Sequence, residues 1–552
     1  MLLLVWLAVW IPRLTGPINL RWDASAYYIL GTALAEGKGY RLLNEPGEIH
    51  AVQYPPLLPA IVAAHQRILG TNDYAKVGCA LRRTYFVLSA LFLLMVYSLA
   101  RRVLSPWYAL SVGIITALSF YSFLEISDVL YAELPFAVAA VGFLLCQHKS
   151  DRYLYAALTG ILGAAAYLLR TAGIVLLLTW IAESLIRRRF GQALMRIGIS
   201  AVPILLWQGY IWRVTSSDEY RHPAFSYQRA DYYYPNVTYG QNSQLIDPFR
   251  PELGHMSVAD LGKRLFPNVV AIPSSLAESA VIPLESASYL AAMLQRNLHV
   301  ELSNNLVASG TRVLAASLLF GGLLAIVGAV LVSTGRDWFL SLYFGVNLAI
   351  IAITPWQDQF RRYLVAVAPL TLMFTLVALM AAGQWLRHRR LKWLYAVGGV
   401  ATMSLVAVVL LSQLTLAIHL LRNLDPVSYW DDAGRERICK VIKYGVGWHA
   451  LDFAFEWVRR NAPETAVVGT IAPQLAFLRT GHKAVLPPFE LDPNRASRLL
   501  NQVPVTYLIL DKFGRPGVTE QYMAPVIAYE PQDWRLVFTA PDNMAHVYER
   551  TR

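Results

Sequence analysis

Long apolar runs separated by short basic clusters dominate this chain. The runs lie at 1–14, 84–100, 106–124, 131–147, 153–169, 171–186, 193–214, 309–333, 338–354, 363–386 and 393–419. Several reach the roughly 20 residues that a bilayer-crossing helix needs. Basic residues follow many of them: Arg101 and Arg102, Lys149 and Arg152, Arg187 to Arg189, Arg336, then Arg387 to Arg390 with Lys392. Placing all of these clusters in the cytoplasm satisfies the positive-inside rule. The segment 153–186 obeys the rule only as a hairpin broken at Arg170-Thr171-Ala172-Gly173. Its arms are then about 24 Å long at 1.5 Å per residue, slightly short of a core of about 30 Å. About eleven crossings result, with the C-terminus outside.

Three polar regions then face outward. The first, 15–83, contains a helix-like run at 24–36 and an apolar run at 54–69 that opens Tyr54-Pro55-Pro56. The second, 215–308, opens with many aromatics: Tyr220, Phe225, Tyr227, Tyr232, Tyr233 and Tyr234. In the tail, 420–552, the run 451–460 is amphipathic, and 465–470, 505–510 and 534–539 read as strands punctuated by Gly481, Pro487, Pro488 and Gly514. The expected architecture is an α-helical polytopic membrane domain, 1–419, followed by a small extracytoplasmic α/β domain, 420–552.

Composition agrees with that reading. The 552 residues are 56% hydrophobic and 15% charged, against about 25% charged in soluble domains. Mean hydropathy is +0.41. The net charge of +12 is carried by the clusters between apolar runs, so it reads as topology and not as nucleic-acid binding. The first apolar stretch has no basic leader and no clear cleavage site, so it reads as an anchor. Three cysteines imply no disulfide framework, although Cys79 and Cys439 both fall outside and could pair.

The candidate chemistry lies at the outer helix mouths. Asp23 follows Trp22 just past the first apolar run, where helix capping is its plain reading. Glu125, Asp128 and Glu133 lie between two crossings. Glu133, beside Leu134-Pro135 at the mouth of an apolar helix, is placed as carboxylates that face a bundle interior or a wet cavity are. Arg170 and the pair Arg361-Arg362 are outside, against the charge bias. Snorkelling to headgroups explains one such arginine; a guanidinium fork for phosphate explains the pair. His50, His65, His222 and His255 also face outward, without metal-ligand spacing. A divalent metal ion held by carboxylates is the only cofactor considered. Asn236-Val237-Thr238 matches a glycosylation acceptor pattern.

These residues, in this order and on this side, resemble the GT-C superfamily of membrane glycosyltransferases. The chain looks most like the group of bacterial protein mannosyltransferases and aminoarabinose lipid A transferases. The matching features are Trp22-Asp23 with Tyr27-Tyr28, Ala35-Glu36-Gly37-Lys38-Gly39-Tyr40 and Tyr54-Pro55-Pro56-Leu57-Leu58-Pro59. Further on come Ser127-Asp128 to Glu133-Leu134-Pro135, Leu169-Arg170-Thr171, and Arg362-Tyr363-Leu364 to Pro369-Leu370. The resemblance covers roughly residues 1–385. It implies a sugar donor on a polyprenyl phosphate, in contact with membrane lipids, and a glycan, lipid or protein as hydroxyl acceptor.

By the same resemblance, Asp23 is the general base of an inverting transfer. Arg361 or Arg362, with Arg170, binds the donor phosphate. Glu133 and Asp128 orient hydroxyls or hold a metal, and Trp22, Tyr27 and Tyr54 line the cleft. The expected location is the inner (plasma) membrane, with the site and tail extracytoplasmic. All these side chains are expected to share one outer pocket. Ala24 stands where the family often has a second first-loop acid, and Tyr54 where the lipid A enzymes often have lysine, so no lipid A acceptor is assigned. A transporter or flippase of lipid-linked sugars is the alternative, although its charges are expected near the bilayer midplane.

Overall fold

The computed structural model describes residues 1–551 apart from 151, 231, 232, 234, 299–302, 336, 390, 391, 432 and 513–517. Arg336, Arg390, Tyr232 and Tyr234 therefore lie outside the described residues. Residues Met1–Leu14, Arg83–Ile204 and Leu261–Leu424 form one compact unit. Thr15–Arg82, Leu205–Asp260 and Asp425–Arg552 form another.

The apolar runs fold as helices, because a backbone in hydrocarbon must satisfy its own polar groups. Five are long and apolar enough to cross a membrane: Tyr74–Ala100, Phe190–Thr215, Asn304–Ser333, Ala368–His388 and Trp393–Arg422. A sixth span joins Pro106–Leu118 to Phe120–Asp128 across a 68° bend. The chain is a multi-pass membrane protein. The remaining expected crossings fold as shorter apolar helices, among them Leu2–Arg13, Glu133–Gln147 and Tyr153–Leu169. Glu133–Gln147 has 15 residues, about 22 Å at 1.5 Å per residue. Length and composition support five or six crossings and do not confirm the count of about eleven.

The helical hairpin forms where the charge pattern puts it. Helix Tyr153–Leu169 ends as Arg170 turns extended (φ −147°, ψ 134°), and a tight turn Thr171–Gly173 leads into Ile174–Ile186. Gly163 faces Leu177 and Gly160 faces Trp180, pairs placed symmetrically about Arg170, so the arms are antiparallel. A Cβ on Gly163 would lie 2.7 Å from Leu177 Cδ2, and one on Gly173 2.4 Å from the Ala166 carbonyl carbon. Small residues thus let the arms and the turn close. The 68° bend follows Ser119, whose hydroxyl donates to the Ser279 carbonyl at 3.1 Å.

In the other unit, helices Asp23–Ala35 and Leu57–Leu69 pack together, and Gln66 donates to the Thr32 hydroxyl at 2.8 Å. The tail opens with a hairpin, β1 (Asp425–Trp430) against β2 (Glu436–Val441). A five-stranded sheet follows: β3 (Val467–Gly469), β4 (Lys483–Val485), β5 (Tyr507–Asp511), β6 (Trp534–Thr539) and β7 (Ala545–Arg550), in the order β4-β3-β5-β7-β6. The β3 strand is parallel to β4 and β5; β7 is antiparallel to β5 and β6. Every residue of β5 is buried, as in a strand covered on both faces. The three strand runs read from the sequence correspond to β3, β5 and β6.

The second-loop aromatics belong partly to this core. Tyr233 is wholly buried among Val485, Leu508 and Phe489, and Phe225 packs against the same cluster. The Tyr233 hydroxyl donates to Glu45 at 3.2 Å and accepts from the Leu486 amide. Tyr233 and Phe225 therefore help cement the tail core. Asn236 is wholly buried, and Thr238 caps the helix Tyr239–Gln244, so the acceptor pattern is not presented for glycosylation.

Glu45 is also wholly buried, receiving Gln228 at 2.7 Å. Burial pushes its carboxyl up to about 7 from an ordinary 4.5, against the lowering effect of its hydrogen bonds. The native state therefore holds this proton more tightly than the unfolded chain. Stability is fully present below about pH 4.5, falls as pH rises to about 7, and then levels. At 1.36 kcal/mol per pKa unit the loss is about 3 kcal/mol. Thermal unfolding of the detergent-solubilised protein should show this decline, and Glu45→Gln should flatten it.

Candidate functional site

Glu133 opens the helix Glu133–Gln147, at the end where the helix dipole favours a carboxylate. Its side chain is 1% exposed. Arg170 Nη1 lies 2.6 Å from its Oε1, and Arg362 Nε donates to the same oxygen. Oε2 is buried and accepts no hydrogen bond among the described residues. Arg362 lies over the Tyr131 ring at 4.1 Å, and Arg170 over Tyr363 at 5.3 Å. Both guanidiniums keep about a fifth of their surface exposed, so the cluster remains partly open to solvent. Arg170 is placed by the hairpin break. Arg362 is placed by the short helix Phe360–Tyr363 and the buried turn Leu364–Val367, which packs against Glu133–Gln147.

Arg361 takes a different direction. It reaches Glu285 at 2.5 Å and Glu278 at 3.3 Å, and lies over Tyr121 at 5.2 Å. Asp128 also has its own partner: Arg13, wholly buried, places Nη1 3.9 Å from it. The same nitrogen donates to the Leu124 carbonyl and the Ser127 hydroxyl, each at 3.1 Å. Arg13 was missed by sequence reasoning; its one signal is a charge that closes the first apolar run. Glu125 ends the turn Phe120–Glu125 and is half-buried.

Among the described residues no three His, Cys, Asp or Glu side chains gather as a metal site would require. A cation at Glu133 would meet two guanidiniums, and one at Asp128 would meet Arg13. These carboxylates do not fit a metal ion. No disulfide joins Cys79 and Cys439.

The other unit holds a second constellation. Trp22 has φ 55° and ψ −135°, a costly conformation for a bulky side chain. Its neighbour Arg21 is buried, donating to the carbonyls of Ile442 (3.1 Å) and Lys443, while its amide donates to Asn19 Oδ1 at 3.0 Å. The Trp22 ring meets Trp448 edge-on at 4.9 Å. Asp23 is the first residue of its helix; Trp22 holds the N-cap position and no side chain caps that end. Asp23 Oδ1 accepts from the Tyr54 hydroxyl at 3.2 Å, and the Tyr54 ring packs edge-on against Tyr27 at 5.1 Å. The Tyr54 carbonyl in turn accepts from Tyr40 at 2.8 Å. Trp22, Asp23, Tyr27 and Tyr54 are thus gathered on one first-loop framework.

No family model matches the sequence, and no curated protein matches it. Solved structures do. An oligosaccharyltransferase from Archaeoglobus fulgidus, in complex with Zn and sulfate, aligns over 100% of this chain and 73% of its own, with a TM-score of 0.54 and 13% identity. Archaeal AglB from the same organism, with an inhibitory peptide and a dolichol-phosphate, aligns over the same shares with a TM-score of 0.51 and 14% identity. ArnT from Cupriavidus metallidurans, bound to undecaprenyl phosphate, aligns over 99% of this chain and 96% of its own at 13% identity. Its TM-score, 0.41, is too low to argue from. The chain shares the fold of these archaeal oligosaccharyltransferase structures.

The Arg13–Asp128 pair is separable from this chemistry. Asp128→Ala strands a buried guanidinium and should cost about 3–5 kcal/mol. Arg13→Met with Asp128→Leu should recover most of that loss. Unfolding of the three proteins in detergent measures both.

Proposed function

We propose that the chain transfers a sugar from a polyprenyl-phosphate carrier to a hydroxyl acceptor at the outer face of the plasma (inner) membrane. The observation that carries this reading is the convergence of Arg170 and Arg362 on one buried carboxylate at the helix mouths of a GT-C fold. A donor of this class presents an anionic phosphate there, and AglB of the same fold was solved with a dolichol-phosphate. With the basic clusters in the cytoplasm, these mouths and the tail are extracytoplasmic.

The chemistry follows from charge. The acceptor oxygen attacks the anomeric carbon as the bond from that carbon to the phosphate oxygen breaks. The anomeric configuration inverts, and polyprenyl phosphate leaves with the bonding electrons. Negative charge grows on the phosphate, and fixed guanidiniums stabilise it best where water is scarce. Arg362 and Arg170 take this role. Glu133 is a positioning residue: it sets the spacing of the two forks. Arg361, occupied by Glu278 and Glu285, ranks behind them.

The acceptor proton goes to Asp23, whose carboxylate is oriented by Tyr54. The strained Trp22 beside it fits a residue held for function. The acceptor is a glycan, lipid or protein hydroxyl. No observation favours transport over transfer.

Transfer of radiolabelled sugar from polyprenyl phosphate by the protein reconstituted in vesicles tests the reading. Asp23→Asn should lower kcat by about 10²–10⁴-fold, the usual worth of a general base. Near-normal transfer by that variant removes Asp23 from the role. Arg362→Gln should raise KM for the donor by about tenfold or more, since a charge-assisted phosphate contact is lost. An unchanged KM discards the phosphate assignment.

A further inference from the structure

The second outer region contains a helix, Val258–Ala280, whose surface does not suit water. It is not among the five helices long and apolar enough to cross a membrane. Lys263 and Arg264 are its last charges before Glu278. Between them, Phe266, Val269 and Val270 are each more than half exposed. On the opposite side Asn268, Ile272 and Leu276, one turn apart, are buried. The face turned away from the protein is thus the apolar one.

Two contacts fix the depth of this segment. Asn268 donates to the carbonyls of Ala352 at 2.8 Å and Thr354 at 2.9 Å, where the helix Trp338–Ala352 ends. A Cβ on Gly322 would overlap the Pro273 carbonyl, so Pro273 rests directly on the helix Asn304–Ser333. Residues 334–337 alone join these two helices, so their basic ends are level, beside the Arg102–Asp337 pair. From that level Ala352 stands about 22 Å away and Gly322 about 16 Å, at 1.5 Å per residue. A hydrocarbon core is about 30 Å thick, and any tilt lowers both heights. Residues 268–273 therefore lie inside it. Their exposed face also continues that of a span, since Leu319, Phe320 and Leu323 around Gly322 are exposed too.

We propose that the face formed by Phe266, Val269 and Val270 is immersed in the acyl chains of the outer leaflet. The segment is then neither a span nor a solvated loop but a helix inserted from outside. Lys263 and Arg264 stand where it enters, at the level from which long basic side chains reach headgroups. Polar side chains at that depth are satisfied within the protein: Asn268 bonds to two carbonyls, and Ser274 donates to the Ala271 carbonyl at 3.0 Å. Its far end carries Glu278 to Arg361 at 3.3 Å. The inference concerns membrane contact and is independent of the transferase reading.

The test puts photoreactive p-benzoylphenylalanine in place of Phe266 and, separately, of Val270. The full-length protein is reconstituted in vesicles of phosphatidylethanolamine and phosphatidylglycerol, irradiated, and its adducts counted by mass spectrometry. The same replacement at Phe320, exposed on the span Asn304–Ser333, sets the level for lipid contact. Replacement at Leu536, exposed on β6 of the tail, sets the level for water. Phe266 and Val270 should give phospholipid adducts at the Phe320 level, about tenfold above Leu536, as a helix face buried among acyl chains does. Adducts no more frequent than at Leu536 overturn the proposal, because the helix then stands in water. Adducts to a second copy of the chain overturn it as well, because the face is then a protein interface. Both replaced side chains are exposed, and either position decides the matter if the other variant fails to fold. No sugar donor or acceptor is present, so the outcome does not depend on transfer.

Discussion

The carboxylate of Glu133, held between Arg170 and Arg362, is the interaction on which the rest of the helical unit depends. It ties together three segments distant in sequence: the start of one helix, the break in a hairpin and a short outer helix. A buried charge at a helix mouth is costly unless matched, so those segments must meet. The local features around it serve that meeting. Gly163 and Gly173 let the hairpin close tightly enough to deliver Arg170, and the buried turn Leu364–Val367 seats Arg362 against the same helix.

The other unit solves a different problem, the support of a strained backbone. Trp22 sits on the left-handed side of conformational space because Arg21 is fastened to tail carbonyls at Ile442 and Lys443. The same tail receives the first loop elsewhere. Asn44 bonds with Ala484 in both directions, and Ile29, Ala33 and Leu43 pack with Phe477 and Leu478. Tyr233 inserts from the second loop. The unit is discontinuous in sequence because each piece lacks enough apolar surface to form a core alone.

Charge is handled differently at the two ends of the helical unit. At the mouths of Glu133–Gln147 and Tyr153–Leu169, two arginines share one acid. Around Gln147, Asp337 holds Arg102, and Glu183 holds Arg187 and Arg196. In both places carboxylates orient guanidiniums, and in neither do they assemble the oxygen-rich shell of a hard cation.

Much of this was legible in the sequence. Helices and strands depend on near-neighbour hydrogen bonding and on the period of apolar side chains. The hairpin break at Arg170, the first-loop helix and three tail strands could therefore be read from residues a few positions apart. Asp23, Glu133 and Arg362 could be singled out as charges beside apolar runs. Their partners could not. Arg13 with Asp128, Arg361 with Glu278 and Glu285, Arg21 with the tail, and Tyr233 in the tail core are joined across tens to hundreds of residues. Such pairings depend on which helix mouths meet in space, and that is set by the packing of the whole chain rather than by any local pattern. The sequence by itself determined which segments form apolar helices and which charges stand at their ends; only the tertiary structure decided which charge neutralises which, because electrostatic pairing acts over distance in space and is blind to distance along the chain.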